Sequence, residues 1–311
     1  MFNYQPVIIM NRIFQNNSKP RFNFCRKLHN HRAGKNSRGF TLVELLVVLA
    51  TLAVLAVTLI PALAAGKPNS LAFQCLNNLR QWGDAMRISV TDSNDIIARD
   101  GTDNNGQYAV DTFNRDWPGS PRDPYAWFNV VPTALGDKPF TNYLNVAGGN
   151  SQSMLPFPGG QGKIWHCPAA KAASSDVFLN SGSFGFFSYV MNIDLKLNRS
   201  INNGIIGNTA VYPNMPKFGA IRNPSAVVLF TDVAFSPSLE NYTSSPSRNG
   251  TYPCLRWSSF SKRHNGGGTI VFADGHSAVF KWDYVFNTAA PSGRLEKYNL
   301  DIWWNPNRDI P

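Results

Sequence analysis

The chain has 311 residues and a formal charge of +10, yet eight of its basic residues (Arg12, Lys19, Arg21, Arg26, Lys27, Arg32, Lys35 and Arg38) precede residue 40, where no acidic residue occurs. Past that point 21 basic residues face 19 acidic ones, so the basicity belongs to a leader, and the rest of the chain has no patch dense enough to bind nucleic acid through its phosphates. None of the four cysteines lies in a Cys-x-x-Cys pair or in a Cys/His group of metal-site spacing, which excludes a zinc motif written locally.

Phe40 to Ala65 follows the leader: 26 residues with one charge, Glu44. As a helix rising about 1.5 Å per residue it spans roughly 39 Å, more than the roughly 30 Å hydrocarbon core of a bilayer. A basic segment before an apolar span predicts a cytoplasmic N-terminus and an exported remainder. A carboxylate inside such a tract is costly, which predicts a functional role and a positively charged partner for Glu44. Pro61 removes a backbone hydrogen bond and predicts a kink.

The run Gly39-Phe40-Thr41-Leu42-Val43-Glu44-Leu45-Leu46-Val47-Val48 resembles the processing motif of type IV pilins and type II secretion pseudopilins. The resemblance implies that prepilin peptidase cuts between Gly39 and Phe40 and methylates the new amine of Phe40. It also implies that Glu44 pairs with that ammonium on a neighbouring subunit, so that neither buried charge lacks a partner. Leu42, Leu45, Leu46, Val47 and Val48 would then line the helix seam of a homo- or hetero-oligomeric filament, alongside other pseudopilins and inner-membrane secretion or pilus assembly components. A second processing reading comes from Ala62-Leu63-Ala64 before Ala65, which resembles a signal-peptide cleavage site; Glu44 is out of place in the apolar region it requires.

Gly66-Lys67-Pro68-Asn69-Ser70 reads as a short break where the chain leaves the lipid. Beyond it Ala72, Cys75, Leu79, Trp82, Met86 and Val90 recur at helical spacing, opposite Asn77, Asn78, Arg80, Gln81, Asp84 and Arg87. That pattern predicts an amphipathic continuation of the stalk helix over 66–90, packed by its apolar stripe on a globular head over 91–311. The predicted class is α+β, pilin-like: a long N-terminal helix on a β-rich, loop-rich head.

Asp92, Asn94, Asp95, Asp100, Asp103, Asn104 and Asn105 crowd the segment after this helix. Such oxygen-rich stretches bind calcium or build turns; the spacing matches no EF-hand, so calcium is the one candidate cofactor and turns the plainer reading. Trp117 and Trp127 among loop residues offer either a carbohydrate-stacking platform or core. Strands are predicted over 184–191, 210–212, 226–233, 268–272 and 276–282. With Cys25 in the leader, three cysteines remain, and Cys75 with Cys167 is the expected disulfide pair.

His264 stands nine residues before Asp274-Gly275, in Arg263-His264-Asn265-Gly266-Gly267-Gly268-Thr269-Ile270-Val271-Phe272-Ala273-Asp274-Gly275-His276. Asp-Gly between apolar strands predicts a hairpin over 264–282. The interval resembles the H-X9-DG region of pseudopilin-like proteins abundant in Planctomycetes and Verrucomicrobia. Cys75-Leu76-Asn77-Asn78-Leu79-Arg80-Gln81, Cys167-Pro168-Ala169 and Ser188-Tyr189-Val190-Met191-Asn192 match the same group. One reading gathers Asp232, His264, Asp274 and His276 into a metal or acid/base site. The preferred reading is structural, with His264 bonded near Asp274 to fix the hairpin. The functional expectation is a non-enzymatic pseudopilin subunit, single-pass in the inner membrane with its head in the periplasm or at the cell surface. A carbohydrate-binding or adhesive anchor protein and, behind it, a metal-dependent enzyme are the alternatives.

Overall fold

The computed structural model describes residues 39–108, 118–147, 154–176, 179, 185–196, 214–240, 250–287 and 301–306, apart from the side chains of 56–70 and 145–147. The leader, Trp117 and the strand predicted over 210–212 lie outside them. Among the described residues are four α-helices, α1 (Leu42–Asp92), α2 (Trp127–Val130), α3 (Phe140–Ala147) and α4 (Trp282–Asn287), with five strands, β1 (Tyr189–Asn192), β2 (Val228–Asp232), β3 (Cys254–Leu255), β4 (Gly267–Phe272) and β5 (Ser277–Lys281). The fold is α+β, as the residue patterns predict. The break predicted over 66–70 is corrected, because α1 runs through it and through Pro61; each proline removes one backbone bond, and the good helix formers on either side carry the helix past it.

The chain divides into two compact units, Met1–Leu55 and Ala56–Pro311. In the first, the described residues begin α1, and their large apolar side chains from Phe40 to Leu55 are exposed. Among the described residues no helix is long and apolar enough to cross a membrane; the predicted span reaches into 56–65, whose side chains lie outside the description.

In the second unit the sheet order is β3-β1-β2-β4-β5. β1 pairs antiparallel with β2 and parallel with β3, and β2–β4 and β4–β5 are antiparallel. The central strands β2 and β4 are buried along their whole length, because both sheet faces are covered. That is why they read as continuous apolar runs rather than alternating ones. One face meets the later part of α1: Cys75, Leu79, Trp82, Met86 and Val90 are buried while Arg80, Gln81, Asp84 and Arg87 face solvent. Gly83 sets the approach, since a Cβ there would lie 2.7 Å from a Val271 methyl. The other face carries a second apolar cluster of Val228, Phe260, Ile270, Phe272, Val285, Ile302 and Trp304.

Aromatic rings fill the space between α1 and the sheet. Trp82 packs edge-on against Trp127 and Trp165, each at 5.1 Å, and against Phe230 at 6.1 Å. The three indole N–H groups of this cluster each find an acceptor: Trp82 on the Ile164 carbonyl, Trp127 on the Pro253 carbonyl and Trp165 on Asp137. Burying rings of this size contributes on the order of 2–3 kcal/mol each, provided the N–H is satisfied.

The predicted hairpin forms, with five residue pairs from Gly267↔Lys281 to Val271↔Ser277. Its turn needs glycine at 275, where φ is +94° and a Cβ would come within 2.7 Å of Arg87 Nη1. Arg87 donates to the Asp274 carbonyl at 2.5 Å, which ties the turn to α1.

Candidate functional site

The structure gathers four side chains from four separate elements at the buried junction of α1 and the sheet. Cys75 comes from the apolar stripe of α1, Cys167 from the loop after a short 3-10 turn at Lys163–Trp165, Asp232 from the end of β2 and His264 from the loop before β4. One sulfur, nitrogen or carboxylate oxygen from each lies within 4.8 Å of all the others, and all four residues are buried. Cys167 Sγ is 3.2 Å from His264 Nε2, and the same nitrogen is 3.5 Å from Asp232 Oδ2. Ser188 holds the Cys167 loop by accepting the Cys167 backbone N–H at 2.7 Å. The His264 loop is closed by reciprocal backbone bonds with Gly267.

Arg263 organises the acidic side of the cluster. It bonds Asp232 Oδ1 and grips both oxygens of Glu240, at 2.7 and 2.9 Å. Asp232 Oδ2 is buried and takes no hydrogen bond among the described residues. Burial raises the Asp232 carboxyl, to about 8, against the pull of Arg263, so its carboxylate is poorly compensated by what surrounds it. Burial also pushes the Cys75 thiol well up. Cys167 shifts the other way: burial opposes its thiolate, but a hydrogen bond with Cys75, the Arg263 charge and His264 outweigh burial. For His264 burial favours the neutral ring, while Cys167 and Asp232 favour the imidazolium and prevail.

The second candidate lies at the start of α1. Gly39 has open space around its Cα and Phe40 is 78% exposed, so the bond between them is accessible. Thr41 and Glu44 bond reciprocally: Glu44 Oε2 accepts the Thr41 N–H and hydroxyl, both at 2.9 Å, and Thr41 Oγ1 accepts the Glu44 N–H at 3.2 Å. This is a capping box, which satisfies backbone donors that the first helical turn would otherwise leave unpaired. Both donors bond Oε2, and Oε1 is left without one among the described residues.

Residues 34–60 match the model of the prokaryotic N-terminal methylation motif. No curated protein and no solved structure matches the chain. The methylation motif thus brackets the predicted cleavage site Gly39–Phe40 together with Glu44, Leu42, Leu45 and Leu46. The side chain of Pro61 lies outside both the match and the described residues.

The remaining expectations divide. Cys75 and Cys167 do meet, as free thiols rather than as the expected disulfide. The bond expected between His264 and Asp274 is corrected: His264 turns toward Cys167 and Asp232, while Asp274 Oδ1 accepts the His276 N–H at 3.0 Å and contacts its Nδ1 at 2.6 Å. The strand between them carries the two ends apart. The four-residue grouping of Asp232, His264, Asp274 and His276 therefore reduces to Asp232 and His264, joined by two cysteines that no local spacing revealed.

In the segment proposed for calcium, Asp100 accepts from the Thr102 N–H and hydroxyl and pairs with buried Lys196 at 2.8 Å. Asp103 accepts from the N–H groups of Asn105 and Gln107, and Asp95 from Gly219. Asp100 and Asp103 order local turns, while Asp95 ties the segment to Gly219 and Asp100 ties it to Lys196. Trp127 is 1% exposed at the centre of the core, which removes it from any carbohydrate platform. The capping box was the missed signal at the N-terminus, because Thr41-x-x-Glu44 before an apolar run is legible in sequence.

Proposed function

We propose that this chain is a pseudopilin-like structural subunit, cut by prepilin peptidase between Gly39 and Phe40 and N-methylated on Phe40. Residues 40–65 anchor it in the inner membrane, and its head lies on the far side. Its N-terminal helix packs with copies of itself or with other pseudopilins into a filament of the type II secretion or type IV pilus kind. Its mechanism is assembly rather than catalysis. The carrying observation is that the methylation motif coincides with a helix start whose apolar side chains are uncovered all round. A helix apolar on every side needs lipid or other helices around it.

The capping box adds a role for Glu44. Cleavage leaves the Thr41 amide intact, so Oε2 keeps its two donors, while Oε1 remains for the ammonium of Phe40 on a neighbour. The carboxylate thereby starts its own helix and sets register with the next one. On this reading the H-X9-DG region is a structural part of the head.

The test is the mass of the mature chain extracted from membranes. The expected N-terminus is N-methylated Phe40; a chain starting at Ala65 would overturn the proposal. Glu44→Ala is expected to be cleaved but left out of filaments, and its normal incorporation would remove the pairing.

A further inference from the structure

We propose that Cys75, Cys167, Asp232 and His264 form a closed, structural binding site for a divalent metal of the zinc class. The inference does not depend on the assembly role, since all four residues lie in the unit Ala56–Pro311.

The donor set is the first reason. Two sulfurs, an imidazole nitrogen and a carboxylate oxygen make a four-ligand set of the type zinc takes in tetrahedral sites, and the sulfurs disfavour magnesium and calcium. Size is the second. With metal–ligand bonds of about 2.0–2.3 Å, a tetrahedron has edges of roughly 3.3–3.8 Å. The ligand atoms here lie within 4.8 Å of one another, and two of the separations are 3.2 and 3.5 Å, so closure needs only a small contraction.

The third reason separates a metal from a disulfide. A disulfide between Cys75 and Cys167 would use both sulfurs and leave Asp232 Oδ2 as it stands, buried without a donor. Such an oxygen is expensive in a protein interior; His264 Nε2 stands 3.5 Å from it, and a metal ion bound to both would give it a direct partner. Arg263 occupies Oδ1 and so presents Oδ2 to the centre, as carboxylate-orienting groups around metal sites do.

Charge is conserved on loading. With Asp232 as the carboxylate paired to Arg263, the metal ion displaces two protons to solvent, one from the Cys75 thiol and one held between Cys167 and His264, and bonds form from the metal to both sulfurs, to His264 Nε2 and to Asp232 Oδ2, with no change of oxidation state. The buried cluster therefore carries the same net charge before and after. With all four ligands buried, no coordination position faces solvent, which marks the site as structural rather than catalytic. It would clamp α1 to the loop at Cys167, to β2 and to the loop before β4.

The experiment uses the full chain in detergent, purified without chelator, with metal content by mass spectrometry and free thiols by alkylation. The expected result is one zinc per chain and protected Cys75 and Cys167. After removal of zinc, cobalt(II) should bind one per chain with a thiolate charge-transfer band and tetrahedral d–d bands. Cys75→Ser and His264→Gln should lose stoichiometric cobalt binding, whereas Cys254→Ser and His276→Ala should keep it. Native protein carrying a Cys75–Cys167 disulfide and no metal would overturn the proposal. So would reduced wild-type protein that binds no cobalt, a result independent of whether any variant folds.

Discussion

Helix α1 sets two solutions of one problem side by side. From Leu42 to Leu55 its apolar residues occupy every side of the helix and are exposed. From Cys75 to Val90 most of them, Cys75, Leu79, Trp82, Ala85, Met86 and Val90, form one stripe buried under the sheet, while Ile88 stays exposed. The first part offers its own unit no face to bury and no face to solvate, so its apolar surface is left for lipid or for other helices. The second part divides its surface, and its buried stripe is a structural floor for the head. Apolar residues thus stay uncovered in one region and build the core in the other, and the pattern rather than the amount of apolarity separates the two.

The largest effect should come from breaking the folding half. Trp82→Ala removes the ring that touches Trp127, Trp165 and Phe230 and should cost about 3–5 kcal/mol of head stability, read by denaturant unfolding. Leu46→Ala in the other half should shift the same unfolding midpoint by less than about 0.5 kcal/mol. Equal losses from the two would erase the distinction. A smaller effect should follow Gly83→Ala, whose Cβ would press on Val271; overpacking there should cost about 1–3 kcal/mol, despite alanine's better helix propensity. A stabilised Gly83→Ala protein would show that α1 is not seated against β4 as described.

The smallest expected effect concerns pH and lies away from α1. Asp176 is held below its ordinary carboxylate range: burial raises it, but hydrogen bonds from Ser236, Ser238 and the Ala173 N–H outweigh burial. A carboxylate with a lowered folded pKa contributes stability above its unfolded value. That contribution is lost as pH falls through the unfolded value of 3.8 toward the folded one. Asp176→Asn should therefore flatten the acid limb of the head's stability profile below about pH 4 and leave the methylation motif's processing untouched. An unchanged acid limb would remove Asp176 from the account.

Much of this was legible along the chain. The charge partition, the apolar tract, Gly39–Phe40 and Glu44 are contiguous features, and the stripe from Cys75 to Val90 follows from helical period alone. Strands β2, β4 and β5 were signalled by apolar runs and by the Asp-Gly turn at 274–275. The β1 boundary was less clear, since Phe186 and Phe187 precede it as buried loop residues and apolarity does not distinguish a buried loop from a strand. Trp127 was ambiguous for a related reason: neighbours decide whether a ring stacks on a ligand or on Trp82, and those neighbours are remote in sequence.

The buried cluster marks the limit most sharply. The residue pattern pairs Cys75 with Cys167 and groups Asp232 with His264, but nothing in it joins the two pairs, because their ligand atoms meet only after α1 has settled on the sheet. Period, charge order and turn chemistry are local quantities, and by themselves they determined the processing motif, the apolar start of α1, the amphipathic stripe and the hairpin. Which side chains share a site was decided by tertiary structure. A contact between residues on four different elements depends on sheet order and helix docking, and no short-range spacing encodes either.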